Sequence, residues 1–534
     1  MKTTIKNLIL SAVLVVGGAS CVDLDTAPHD RETDLTYWEE DPEAAVKALN
    51  TCYTYLGNMD EQLYCEAMTD NAYTKQPNDA TQNIGNGSYS TADPYVKKVW
   101  DGRYTGIRMC NELLENIDRV PDLDPELKKR YIGEAKVLRA YNYYELYTKF
   151  GDVPYTTKVL SIKESMSIAR TAKATVIANV LADLDEVING NYLPTSYDAD
   201  NKGRITRWAA MAIKAKIYLF EGNWTQVKNI TSTIMTEGGF KLFGSYAGLF
   251  EIANEYNSEV ILDAQYRPTS REHQMMYVFL PPTLGGYSQL SPLQELVDSY
   301  IMLDGKTIKE TGTSFDESHP YANRDPRLKA TVMYTGNSYT LADGTEVVIN
   351  CEKGEGKDGY GVGSDCSATG YYIKKYWDNT YRATLYSGLN PILIRYADIL
   401  LMNAEALAEL GELDKTAWDV TIKPIRDRAG FTLASALEFP EGASKDKLIE
   451  IVRNERRSEL ALEGHRHKDI IRWRIADNVL NGWCHGLKTN DVVGTDDGYV
   501  RVENRTFNAN RHYLWPIPQA ERDLNGNLEQ NPNW

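Results

Sequence analysis

The chain has 534 residues and sets 58 Lys plus Arg against 75 Asp plus Glu, a formal charge of −17. That balance argues against nucleic acid as a partner, because affinity for a polyanion comes from Lys and Arg displacing counterions from phosphate. Hydrophobic residues at 42% and charged residues at 25% exclude wholesale disorder and a polytopic membrane protein, and the length fits two to four domains or one large intertwined body. The aromatic set is unusual, with 35 Tyr and 10 Trp against 10 Phe, so most rings carry a hydrogen-bonding tip suited to half-wet surfaces.

At the start, Lys2 and Lys6 precede an apolar stretch from Leu8 to Val16, followed by Gly17-Gly18-Ala19-Ser20 and then Cys21. Basic start, short apolar middle and small residues at the cut make a secretory signal, too short for the roughly 20 residues a bilayer needs. Cys21 in that position resembles the acylated cysteine of a bacterial lipobox, although Gly18 stands where Leu is usual; ordinary cleavage leaving a free thiol is the alternative. Asp23 and Asp25 resemble the acidic export signal of Bacteroidetes surface lipoproteins. Residues 1–20 therefore read as a lipoprotein signal, and its removal takes the charge from −17 to −19. A chain this acidic needs acyl chains on Cys21, not a basic patch, to stay on a membrane. Of the six other cysteines, Cys52 with Cys65 and Cys351 with Cys366 are near enough in sequence to close short loops; buried free thiols are an equal alternative.

Helical periodicity and capping predict helices over Asp41–Tyr55, Pro94–Ile117, Asp124–Phe150, Thr175–Val187, Thr206–Phe220 and Trp224–Met235. They resume over Ile394–Glu409, Ala417–Arg428 and Lys445–Glu463. Three of them run into a turn glycine, Gly151, Gly222 or Gly411, followed two places on by an apolar residue. That resembles the tetratricopeptide helix-turn-helix unit, but spacings of 71 and 189 residues rule out a tandem array. The fold class is therefore mainly α: degenerate tetratricopeptide-type helix pairs over about 41–240 and 391–534, with a loop-rich portion bearing short strands over about 58–93 and 241–390. Residues 70–93 lack Leu, Val, Phe and Trp and are dense in Asn, Gln, Asp, Ser and Thr, while 267–291 and 335–390 carry Gly pairs and Tyr clusters. Loops of that length in a compact protein are usually functional or disordered, and Tyr-rich loops seldom belong to the second class.

No P-loop, GxSxG, HExxH or dinucleotide fingerprint is present. Asp198 to Gly203 starts like a calcium loop but fails at Lys202 and at Ala209, so no metal and no cofactor are expected. His465 and His467 follow a helix-ending glycine and read as structural. Glu455, Glu459 and Glu463 fall four apart beside Arg456 and Arg457, the spacing of an ion network along a helix face. No carboxylate pair stands out as nucleophile and proton donor, so no catalytic residue is assigned.

The segment Arg453-Asn454-Glu455-Arg456-Arg457-Ser458-Glu459-Leu460-Ala461-Leu462-Glu463-Gly464-His465-Arg466, with Asp469 and Arg472-Trp473, resembles the hallmark helix of the SusD/RagB family. So do Arg324-Asp325-Pro326-Arg327-Leu328, Asn390 to Asp398, Gly203 to Thr206 and the closing Trp515-Pro516-Ile517-Pro518 and Gln530 to Trp534, and these motifs span the mature chain. The resemblance implies a SusD-like outer-membrane, cell-surface lipoprotein that captures oligosaccharide without breaking bonds and delivers it to a SusC-like TonB-dependent transporter. Two alternatives stay open: a RagB-type lid that binds peptide or protein, and a surface glycoside hydrolase, which would need two carboxylates roughly 5–10 Å apart.

Sugars are held by aromatic faces over their C–H patches, with amides and carboxylates taking the hydroxyls. On that chemistry the 70–93 loop offers Asp70, Asn71, Tyr73, Asn83 and Tyr89. The second loop offers Tyr287, and Trp377 is a further candidate.

Overall fold

The computed structural model describes residues 33–34, 36–75, 80–381, 384–489 and 495–534; the signal expected at 1–20 and the lipidation expected at Cys21 lie outside them. In chain order the elements that position the sites are α1 (Ala44–Tyr53), α2 (Met59–Glu66), β1 (Ala72–Thr74), α3 (Pro94–Asn116) and α4 (Pro125–Phe150). Then come α5 (Lys173–Asn189), α6 (Arg207–Phe220), α7 (Trp224–Glu237), β2 (Val260–Asp263), β3 (Leu290–Pro292) and α8 (Pro326–Thr331). The last group is β4 (Ile392–Arg395), α9 (Tyr396–Leu410), α10 (Ile422–Ala429), α11 (Lys445–Glu459), α12 (Arg466–Arg472), β5 (Gly482–Lys488) and β6 (Tyr499–Arg505).

The fold is mainly helical, and its described sheets have two or three strands. Both long helices begin on an Asp-Pro pair. The Asp93 side chain accepts from the N–H groups of Tyr95 and Val96, and Asp124 from those of Glu126 and Leu127, while proline takes the first-turn position that needs no donor. Helices pack on their chain neighbours: α3 on α4, α4 on α5, α5 on α6 and α6 on α7. The array then skips about 150 residues and continues with α7 on α9 and α9 on α11. Gly151, Gly222 and Gly411, which end three of these helices, all have positive φ (72°, 69° and 74°), the backbone that glycine adopts without a Cβ clash.

Scaffold tyrosines pack their rings and bond their tips. Tyr53 donates to Glu134 at 2.6 Å, Tyr104 to the Pro154 carbonyl at 2.9 Å and Tyr143 to the Thr156 carbonyl at 2.8 Å.

The stretch between α7 and α9 has its own core, built on Phe279, Leu290, Tyr300, Tyr339, Tyr372 and Ile373. Its base is pinned by β2, antiparallel to β4 with Val260 opposite Arg395. Ile394 therefore lies in a strand, and the helix expected from it starts at Tyr396, because a buried partner strand is available there. The Asn-rich stretch at 70–93 is likewise built: β1 pairs antiparallel with β3, and a helix spans Ala80–Asn86.

The acidic helix is not laced to its own arginines. Glu455 meets Arg426 and Arg327, both at 2.7 Å; Glu459 meets Arg395 at 2.6 Å, Arg327 at 2.8 Å and Arg428. α11 ends at Glu459, four residues short of the expected end. Leu462, at φ 63°, turns Glu463 away from the helix line and onto Arg395 and Lys375, each at 2.7 Å. Burial opposes ionisation of Glu459, but Arg428, Arg395 and Arg327 outweigh it and hold the carboxyl well below its usual range. Burial pushes the Lys375 ammonium down to about 8 even with Glu463 beside it. This network lies where the looped-out portion meets the helix array.

The six described cysteines are free thiols. Cys52 sits against Cys110 across α1 and α3 rather than against Cys65.

The β5–β6 hairpin is fastened by His485, whose ring contacts Glu295 at 2.7 Å on one nitrogen and Asp496 at 3.0 Å on the other. The Glu295 hydrogen bond, working against partial burial and helped by Asp496, lifts His485 to about 8. A group raised on folding contributes stability that is complete below its unfolded value near 6.5 and is lost as pH rises through about 8. Wild type should therefore be more heat-stable than His485→Gln at pH about 6, with the gap in thermal midpoint closing by pH about 9. A gap independent of pH would refute the clamp.

Candidate ligand-binding site

The residues expected from sequence separate in space. Asp70 is 5% exposed and bidentate to Arg466 at 2.8 Å on both oxygens, with Arg457 at 3.0 Å; these arginines overcome the burial penalty and hold it well below the usual carboxylate range. Asn71 is 1% exposed, donating to Glu66 at 2.8 Å and accepting from Arg457 at 2.9 Å. In the structure both act as ties between α2 and the region of α11 and α12, and Asp70 also lines a cavity of about 420 Å³ with Glu295 and Arg457. The Tyr89 ring is buried and packs between His512 (centroids 5.2 Å apart) and Trp534 (4.7 Å), pinning the chain's end.

Asn83 is half-buried, and its carbonyl accepts from the backbone N–H groups of Ser88 and Tyr89. Tyr73 is half-buried on β1, where its hydroxyl accepts from Gln82 at 3.3 Å. Trp377 lines a cavity of about 270 Å³ with Asp378 and Asn379 and donates its indole N–H to the Thr340 carbonyl at 2.8 Å.

Tyr287, 46% exposed, stands apart from the other six and belongs to a platform. Its ring is stacked on Tyr277 with centroids 5.7 Å apart and planes 13° apart, and Tyr386 meets Tyr277 at 89° with centroids 6.4 Å apart. Each ring is placed by backbone. Tyr277 lies on a short helix, Met275–Phe279, and its carbonyl accepts the Tyr287 N–H at 2.8 Å. Gly285, at φ 89°, turns the chain toward Tyr287. A Cβ on Gly286 would lie 2.1 Å from the Leu280 carbonyl oxygen, so only glycine permits this close approach. The segment carrying Tyr386 is held by paired N–H to carbonyl bonds between His273 and Ser387, at 2.9 and 3.0 Å. Gln274 donates to the Tyr386 hydroxyl at 2.6 Å and keeps its own amide oxygen at an exposed position. The β1–β3 pairing extends to Lys75, whose N–H bonds the Gln289 carbonyl, two residues from Tyr287.

Two near-parallel rings with a third standing across one of them and an amide among them form a surface that covers C–H faces and bonds hydroxyls. Tyr277, Tyr386 and Gln274 escaped sequence reasoning. The Gly-Gly turn marked Tyr287, but only tertiary pairing joins residues more than 100 positions apart.

Among the described residues, no cluster of three or more His, Cys, Asp or Glu is placed to hold a metal ion. His467 is buried in α12 and His465 half-buried just before it, and desolvation pushes each down to about 3. No described helix is long and apolar enough to cross a membrane.

Comparison with known proteins covers most of the chain. The SusD family model matches residues 249–534, and a second model, described as starch-binding associating with outer membrane, matches residues 42–219. SusD-like protein P25 of Formosa agariphila is 28% identical over 516 residues, covering 89% of this chain and 91% of its own. The crystal structure of a SusD-like carbohydrate-binding protein from Bacteroides fragilis superposes with a TM-score of 0.82 at 28% identity, covering 92% of this chain and all of that one. A second SusD-like structure from that organism gives 0.79 at 27% identity, covering 95% and 100%. Helix array, looped-out second core and matched motifs agree along the chain: the protein belongs to the SusD family.

Proposed function

We propose that the protein is a cell-surface oligosaccharide-binding lipoprotein, anchored in the outer membrane through Cys21, that captures glycan on the Tyr277–Tyr287–Tyr386 platform and delivers it to a SusC-like TonB-dependent transporter. The observation that carries the reading is the platform: aromatic faces left exposed yet locked by backbone hydrogen bonds, so that little freedom is lost when a sugar ring stacks. The carbohydrate-binding relative from Bacteroides fragilis supports the ligand class, and the family model named for association with the outer membrane supports the location. With the formal charge at −19 once residues 1–20, with Lys2 and Lys6, are removed from the chain of −17, neutral glycan suits the surface better than sulfated or uronic chains.

The test is to apply the mature protein to parallel arrays of glycans and peptides and to assay bound glycans for new reducing ends. Glycan binding with no new reducing ends is expected. A blank glycan array with bound peptides would replace the ligand class, and new reducing ends would make the protein an enzyme.

A further inference from the structure

The platform is not the largest concave feature of the looped-out portion. A cleft of about 760 Å³ opens between the Phe315–Tyr334 stretch and the β5–β6 hairpin, and it shares no lining residue with the platform. Its volume falls within the roughly 300–1,000 Å³ of small-ligand sites.

One wall is a pair of stacked rings, Tyr321 and Tyr334, with centroids 4.0 Å apart and planes 17° apart, both half-buried. The inner ring is locked: the Tyr321 and Tyr371 hydroxyls lie 3.2 Å apart, and Tyr371 donates to Gln294 at 2.6 Å. The opposite side brings the half-buried ring of Tyr499 at the start of β6, with the Lys488 ammonium 5.4 Å from its centroid.

The loop that carries this wall is held by Arg324. Its guanidinium donates to the Val297 carbonyl at 2.6 Å, the Tyr300 carbonyl at 2.8 and 3.2 Å and the Pro320 carbonyl at 2.8 Å, and the ring of Phe315 lies 5.5 Å from it. The geometry is therefore set before any ligand arrives, which is what makes stacking surfaces effective. Charge in the lining is balanced. Glu317 pairs with Lys488 at 3.0 Å, and Glu352 at the rim faces a lining that also contains Arg324. Aromatic walls, hydroxyl partners from Ser318 and Thr335, and no excess of either sign match an uncharged polyhydroxyl chain better than a carboxylated or phosphorylated one.

We infer that this cleft is a second saccharide-binding site, taking a neutral pyranose segment, separate from the Tyr277–Tyr287–Tyr386 platform. The inference rests on the glycan reading of the protein and adds a second point of attachment, so that one polymer or two chains are held at once. Two linked sites raise the effective affinity for a long chain without any new contact.

Affinity gels containing starch, laminarin, xylan or mannan, followed by calorimetry with hexasaccharides of the retarding polymer, separate the outcomes. Four proteins are compared: wild type, a platform variant (Tyr277→Ala, Tyr287→Ala), a cleft variant (Tyr334→Ala, Tyr499→Ala) and a blocking variant, Glu352→Trp, which alters only an exposed rim position. Two sites are expected for wild type and one for each of the others, with polymer retardation weakened at least about tenfold when either site is lost. Cleft and blocking variants that titrate like wild type, or a single wild-type site that the platform variant removes, overturn the second site and leave the first intact. A wild type retarded by none of the polymers refutes the glycan reading itself, and this inference with it. Unchanged thermal midpoints for Glu352→Trp keep the result independent of whether Tyr334→Ala folds.

Discussion

Replacing Glu459 with Leu should destabilise the protein by about 3–5 kcal/mol, because it removes the carboxylate shared by three arginines of the network and leaves an excess of buried positive charge. Arg327, Arg395 and Arg428 all reach this one carboxylate, and Arg327 and Arg395 are each 1% exposed. Arg395 and Arg428 also hold Glu259, just ahead of β2, so the loss spreads to the seam between the looped-out portion and the helix array. Urea unfolding followed by far-UV circular dichroism measures the effect. The informative contrast is Glu450→Leu on the same helix, an exposed residue paired with Lys447, for which a change within about 1 kcal/mol is expected. Similar midpoints for the two variants would show that the network does not stabilise the seam.

The second large effect is on binding. Tyr287→Ala removes one of the two near-parallel faces of the platform and should weaken glycan binding by about 2 kcal/mol, roughly 30-fold in Kd. Adding Tyr277→Ala removes the other and should abolish binding at the platform, leaving only the separate cleft to titrate. Because Tyr287 is 46% exposed, its loss should leave the thermal midpoint within about 1 °C of wild type, and this separates it from Asp70→Ala. The latter strands Arg466 and Arg457 and should lower stability whatever it does to sugar. Calorimetry with the hexasaccharide found by array screening, together with differential scanning fluorimetry, reads both quantities. Binding of Tyr287→Ala equal to wild type would remove the platform from the proposed site.

How far the sequence could be read depended on the range of the interaction. Helix positions were legible because caps and periodicity are local: helices start at Pro94, as expected, and at Pro125, one residue after the expected Asp124, and α3, α4 and α6 end within a residue of the expected positions. The tyrosine excess was legible only as a total. Tyr371, Tyr372 and Tyr376, in a stretch expected to present binding rings, are 2%, 0% and 3% exposed, since the looped-out portion needs a core of its own. Asp70 and Asn71 sat in the most polar segment of the chain, and polarity there signalled hydrogen-bonding capacity without naming the partner. The partners are α2 and arginines nearly 400 residues away.

By itself the sequence determined a mainly helical scaffold with glycine-ended helix pairs, the motifs by which the chain resembles its family, and a surplus of amphipathic rings, because these follow from short-range spacing and composition. The tertiary structure decided which rings are spent on packing and which stay exposed, and which arginine neutralises each buried carboxylate. It also decided that Tyr277, Tyr287 and Tyr386 form one surface. Those outcomes depend on pairings such as β1 with β3 and His273 with Ser387, whose partners are brought together only when distant segments bury their apolar faces against one another.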